Sequence, residues 1–155
     1  MGRPAITALV ALTVLAACSR GDLVPGPVFG EGILVIQTDS GTVKVRVEVA
    51  DSSKERARGL MFREELPREA GMVFLVDEPT TGGFWMKNTL IPLSIAFWDR
   101  EGRILAILDM EPCPEEPCPV YYPEVAWIGA VEVNQGFFDR HGVQVGDVVR
   151  LEDQG

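Results

Sequence analysis

The stretch from Thr42 to Ala50 restricts the possible folds more than any other. Val43, Val45, Val47 and Val49 alternate there with Lys44, Arg46 and Glu48, a period of two that sends β-branched side chains to one side and charges to the other. That pattern makes a half-buried strand, not an amphipathic helix, whose apolar positions recur every three or four residues. Ile33 to Thr38 is a second strand candidate, and Asp39-Ser40-Gly41 between the two supplies turn chemistry, so the spacing predicts a hairpin.

The rest of the chain repeats the theme. Ser52 and Glu55 form a capping box that opens a helix of about two turns, with Gly59 as its stop. Gly71 to Val76 reads as a buried strand and Asp77 to Gly82 as a loop. Gly83 to Asp99 reads as a strand, a polar corner at Lys87-Asn88-Thr89, and a second strand from Leu93 to Trp98. Arg103 to Met110, Val125 to Asn134 and Asp147 to Leu151 are further strands. Gln135 to His141 is a short helix, capped by Asn134 and stopped by Gly142. Seven or eight short strands with at most two brief helices predict a mainly β fold: a single compact β-sandwich or barrel-like domain over residues 32–155, with no room for βαβ crossovers.

Compartment is read from the ends and the cysteines. Met1-Gly2-Arg3 followed by an apolar run from Ala5 to Ala17 has the charge, length and small-residue ending of an export signal over residues 1–17. Leu15-Ala16-Ala17-Cys18 resembles a bacterial lipobox, which implies cleavage before Cys18 and lipidation of its thiol; an ordinary signal peptide is the plainer alternative. Residues 18–31, rich in Gly and Pro, read as a flexible tether. The expected address is therefore the cell envelope, with the domain on the extracytoplasmic side of a membrane that it touches through acyl chains only. Ser19 after the cysteine resembles the pattern for passage to an outer membrane.

The whole chain has a net charge of −9, and cleavage would remove one base, Arg3, and no acid, leaving 13 basic and 23 acidic residues and a net charge of −10. That sign argues against nucleic acid as a partner and against lying flat on anionic lipid. Cys113-Pro-Glu-Glu-Pro-Cys118 most naturally closes a small disulfide loop outside the cytoplasm. A metal or redox site is the sharper alternative, but it needs further ligands, and His141 is the only histidine. No metal and no cofactor is expected.

Several ordered blocks carry a resemblance. Arg58-Gly-Leu-Met-Phe-Arg63, Leu66-Pro67, Gly71-Met-Val-Phe74, Phe84-Trp-Met-Lys-Asn-Thr89 with Ile91-Pro-Leu93, Glu132-Val-Asn134 through Gly136 to Gly142, and Gly146-Asp147 together resemble domain-of-unknown-function family 192 over roughly residues 40–151. The resemblance implies one small, often exported, β-rich domain and no assigned activity. The chain departs from the pattern at Ser94, where many members carry an acid.

The residues available for chemistry are cations, amides and apolar walls. Arg58, Arg63, Lys87, Asn88 and Asn134, with Met72 and Trp85, are the candidate ligand-binding set, since guanidinium forks and amides over an apolar floor suit a small anionic or sugar-like ligand. Against this stands the plain alternative of ion pairs, turns and caps. Met61, Met72, Met86 and Met110 would suit Cu(I), but each sits in an apolar run where methionine fills space. His141 lies at a helix end, where a dipole contact fits better than base chemistry. The reading is therefore a binding protein for a small polar ligand. One competitor is a hydrolase- or isomerase-type enzyme in which Lys87 and Glu132 act as base and acid. Another is an accessory protein of an envelope assembly that presents surface Trp and Tyr.

Overall fold

The computed structural model describes Gly2 and residues 26–153; Cys18 and the expected signal lie outside the described residues. The elements run β1 (Gly30–Thr38), β2 (Gly41–Ala50), α1 (Ser53–Arg58), β3 (Ala70–Thr80), β4 (Phe84–Trp85), β5 (Leu93–Trp98), β6 (Ile104–Met110), β7 (Val120–Tyr121), β8 (Trp127–Asn134), α2 (Phe137–His141) and β9 (Val148–Asp153). This is the mainly β architecture with two short helices that the spacing predicts.

Seven strands form one sheet in the order β6-β5-β8-β3-β2-β1-β9, while β4 and β7 pair separately. The outer strands of the large sheet meet at one end: Arg103 bridges Val148, and the Val149 N–H donates to the Gly102 carbonyl at 2.7 Å. The sheet therefore curls into a barrel-like form. All seven strands send residues into one apolar cluster, among them Ile36, Val45, Val73, Ala96, Ile104, Val131 and Val149, which marks it as the inner core; Phe137 and Phe138 of α2 plug it. A second cluster lies on the opposite face. There Met72, Phe74, Ile95, Phe97 and Ala130 are covered by Leu60, Leu66, Met86 and the Cys113–Cys118 disulfide loop. The strands between these clusters are buried on both faces, as in parallel α/β sheets.

Four expectations are corrected. β2 and β3 pair in parallel from Arg46↔Ala70 to Ala50↔Phe74, so the connection through α1 is a β-α-β crossover after all; a parallel partner needs such a return path. The strand expected before the polar corner shrinks to Phe84–Trp85 and pairs with β7, not with a neighbour in the large sheet. The loop expected from Asp77 is in its first part the end of β3. Finally, α2 is capped by Gly136 in the left-handed region (φ 75°), with no side-chain bond. Asn134 instead donates from Nδ2 to the Leu66 and Pro67 carbonyls at 3.0 and 3.2 Å. The capping box of α1 is as expected, with Ser52 and Glu55 satisfying each other's backbone N–H groups.

Candidate functional site

Glu132 sits in the middle of β8 between Val131 and Val133, both in the inner core. Its own side chain faces the opposite cluster, directly across from Met72 of β3 and Ile95 of β5, and the residue is 5% exposed. Burial among these groups penalises the charged form and pushes its carboxyl up to about 8. At neutral pH it is mainly a neutral acid, able both to donate and to accept.

No hydrogen bond contributes to that shift, and among the described residues no fully enclosed side-chain nitrogen or oxygen lacks a partner. The carboxyl oxygens must therefore touch open space. That space is a narrow slot of about 30 Å³, room for one or two water-sized groups. Its walls are Leu60 and Met61 after α1, the rings of Phe74 and Phe84, and Trp85; the buried Thr89 is the other polar residue deep in it, and Arg56 and Arg58 stand at the mouth. Phe74 and Phe84 meet edge to face at 4.9 Å, which holds the wall. Gly59 lets the chain pass close to that wall: a Cβ there would lie 3.4 Å from the Phe74 ring, at a φ of 44°.

The backbone next to the lining residues Met61 and Thr89 is strained. Phe62 (φ 65°) and Asn88 (φ 58°) both lie in the left-handed region, which costs a bulky residue about 1–2 kcal/mol. The two are tied together, since the Phe62 N–H donates to the Asn88 carbonyl at 2.8 Å. The Arg58 guanidinium lies over the Phe62 ring, 4.8 Å from its centroid. Arg56 is occupied by the Asp51 and Leu75 carbonyls.

Of the residues singled out from sequence, the structure brings Arg58 and Trp85 to this slot, with Met72 beneath it beside Glu132. Asn88 does not line the slot; its amide lies 4.0 Å from the sulfur of Met61, a lining residue. Arg63 is elsewhere, in a bidentate pair with Glu48 at 2.5 and 2.6 Å. Lys87 lies 5.4 Å from the Trp85 ring and pairs with Glu116, not with Glu132. Asn134 ties down the covering loop, as described above. His141 stacks on Phe137 at 4.3 Å and contacts Glu69. Met72, Met86 and Met110 are fully buried core residues.

Three larger hollows lie elsewhere with part of their polar lining already paired; the smallest of them, about 210 Å³, contains Arg100, paired with Glu78, and Asp99, which accepts from the Glu101 and Arg103 N–H groups. A cleft of about 450 Å³ contains Arg63 and its partner Glu48. A hollow of about 350 Å³ contains Ser94, whose hydroxyl donates to Asp109 Oδ1 at 2.5 Å and accepts from the Gly136 N–H at 2.9 Å. Size thus points away from the slot and chemistry points to it. The chemistry is the better guide, because a buried carboxyl without a protein partner is the costly feature that packing alone does not explain.

Fold and slot together define a small, barrel-like β protein with an acid-floored opening on its outer face. The chain belongs to domain-of-unknown-function family 192, described as an uncharacterised ACR, whose sequence model matches residues 35–151. No curated protein matches the chain. Two solved structures are similar. One, from Sinorhizobium meliloti 1021, is described as a candidate transcription regulator; it is 30% identical, with a TM-score of 0.75, over 81% of this chain and 98% of that one. The other, a protein of unknown function from Novosphingobium aromaticivorans DSM 12444, is 36% identical, with a TM-score of 0.71, over 76% of this chain and 83% of that one.

Proposed function

We propose that the protein binds a sugar acid, or a closely similar polyhydroxylated carboxylate, and does not transform it. The observation that carries this reading is the unpartnered Glu132 carboxyl at the end of the slot. A neutral carboxylic acid exchanges hydrogen bonds with a hydroxyl group without repelling an anion nearby. The Arg58 fork suits the ligand's carboxylate, and the half-exposed Trp85 ring offers a flat apolar face at the rim. Glu132 is the sole acid lining the slot, whereas glycoside hydrolysis uses two carboxyl groups. Lys87, the other half of the acid-base alternative, is engaged with Glu116. The acidic chain also favours ligand binding over the DNA contact that the Sinorhizobium relative's description suggests.

A thermal-shift titration with galacturonate or glucuronate tests this. At ten times its dissociation constant, a ligand that prefers the folded state adds about 1.4 kcal/mol and raises the melting temperature by about 4 °C. Acetate and glucose should do less, and Glu132→Leu or Arg58→Ala should reduce the shift. Sugar acids that leave the melting temperature unchanged would overturn the proposal.

We also propose that acyl chains on Cys18 hold the protein at an envelope membrane. Leu15 to Cys18 after the apolar run supports this. Metabolic labelling with a fatty acid should mark the wild type and not Cys18→Ser; equal labelling of both would contradict it.

A further inference from the structure

The slot is far too small for a sugar ring. At about 30 Å³ it admits a hydroxyl or hydroxymethyl group, so nearly all of any sugar bound there must lie outside, across the surface around the mouth. That surface is unusually aromatic. In the β4–β7 ribbon, Phe84 faces Tyr121 and both pack against the outer-face core. By the alternation of strands, Trp85, its partner Val120, and Tyr122 take the opposite, outward face. Trp85 is 50% and Tyr122 56% exposed. Tyr122 lies alongside Gly83, where an added Cβ would come within 2.8 Å of its ring. Phe62, beside Arg58, is 54% exposed and is held by a backbone conformation that a bulky residue rarely adopts.

Of these exposed rings Trp85 lines the slot itself, Tyr122 shares its outward ribbon face, and Phe62 lies under the guanidinium of Arg58, which also lines the slot. Among the described residues Arg58 has no acid partner, in a chain of net charge −9, so the mouth is a local exception to an acidic surface. We infer that the occupant is an acidic oligosaccharide: one sugar unit sends a hydroxyl group to Glu132, and its neighbours lie on Trp85, Tyr122 and Phe62. This rests on the sugar-acid reading of the slot. Stacked bases could also use such rings, so a single-stranded oligonucleotide of like length is titrated beside the sugars, and its binding as tightly as the sugar tetramer would overturn the inference. An acyl chain would gain nothing from a cation and a carboxyl.

Calorimetric titration of the full chain with galacturonate and its dimer, tetramer and hexamer tests the inference. Two added ring contacts of about 1 kcal/mol each predict binding about thirtyfold tighter for the tetramer than for the monomer. Neutral oligomers of equal length should bind about tenfold more weakly than acidic ones, for loss of the charged pair with Arg58. Phe62→Ser and Tyr122→Ser, both at exposed positions, should flatten the length series. Monomer and tetramer binding equally, with both weakened by Glu132→Leu, would overturn the oligosaccharide and leave the slot reading standing. Binding by neither would remove both. Length-dependent binding indifferent to Glu132→Leu, which removes both donor and acceptor, would show rings acting apart from the slot and would also refute the inference.

Discussion

Replacing Glu132 with glutamine is expected to stabilise the protein above pH 8 by several kcal/mol and to leave it nearly unchanged below pH 4.5. In the folded protein burial raises this carboxyl from an ordinary 4.5 to about 8; in the unfolded chain it ionises near the ordinary value. Below 4.5 both states hold the proton and pH has no leverage. Between 4.5 and 8 the unfolded chain releases the proton while the folded one keeps it, so the unfolded state binds fewer protons and stability falls as pH rises. Above 8 both are ionised and the fall ends. The full difference is about 5 kcal/mol, and glutamine, which cannot ionise, does not suffer it. Urea unfolding of both proteins from pH 4 to pH 9 measures the difference directly. A difference independent of pH would mean that Glu132 is not buried as described. The result bears on function, because a residue that costs this much at neutral pH has no structural reason to be there.

Gly71→Ala should be the most damaging small substitution near the slot. A Cβ at Gly71 would stand 2.5 Å from the Glu132 carbonyl oxygen and 3.0 Å from Val133 Cγ1, on strands paired directly at Gly71↔Val133 and Met72↔Glu132. A backbone oxygen in a central strand cannot swing aside as the tip of a long side chain can. β3 and β8 must therefore separate at the point where the slot's acid is held. Overpacking of this kind costs about 3 kcal/mol, or about 10 °C in melting temperature. Gly30→Ala is the control, since its Cβ would meet only Val49 Cβ at an ordinary 3.6 Å and should cost under about 1 kcal/mol. Equal melting temperatures for Gly71→Ala and the wild type would contradict the close pairing.

The sequence made local features legible and hid the distant ones. The β1–β2 hairpin follows from valines alternating with charges, and the start of α1 from Ser52 and Glu55, because those signals span a few residues. The parallel pairing of β2 with β3 and the two-residue β4–β7 ribbon depend on chain that folds back from elsewhere, and no short pattern encodes them. The same holds for side chains. Arg63 and Lys87 read as available cations, but Glu48 and Glu116 reach them across 15 and 29 residues.

Glu132 is the most instructive case. Between Val131 and Val133, at strand period, it reads as solvent-facing. It is buried because the loop after α1, through Leu60 and Leu66, together with Met86 and the disulfide loop covers the outer face of the sheet. A hint exists in the neighbouring strand, where Met72-Val73-Phe74-Leu75-Val76 is apolar on both faces, a sign that this part of the sheet is covered on both sides. An acid beside such a strand is buried too.

The most direct test of the account is a carboxyl-carbon NMR titration of Glu132 in the folded protein. A midpoint near 8, well separated from the other carboxylates, is the predicted result and would place a neutral acid in the slot at physiological pH. A midpoint near 4.5 would contradict it, since the group would then be an ordinary solvated carboxylate with nothing to offer an anionic ligand.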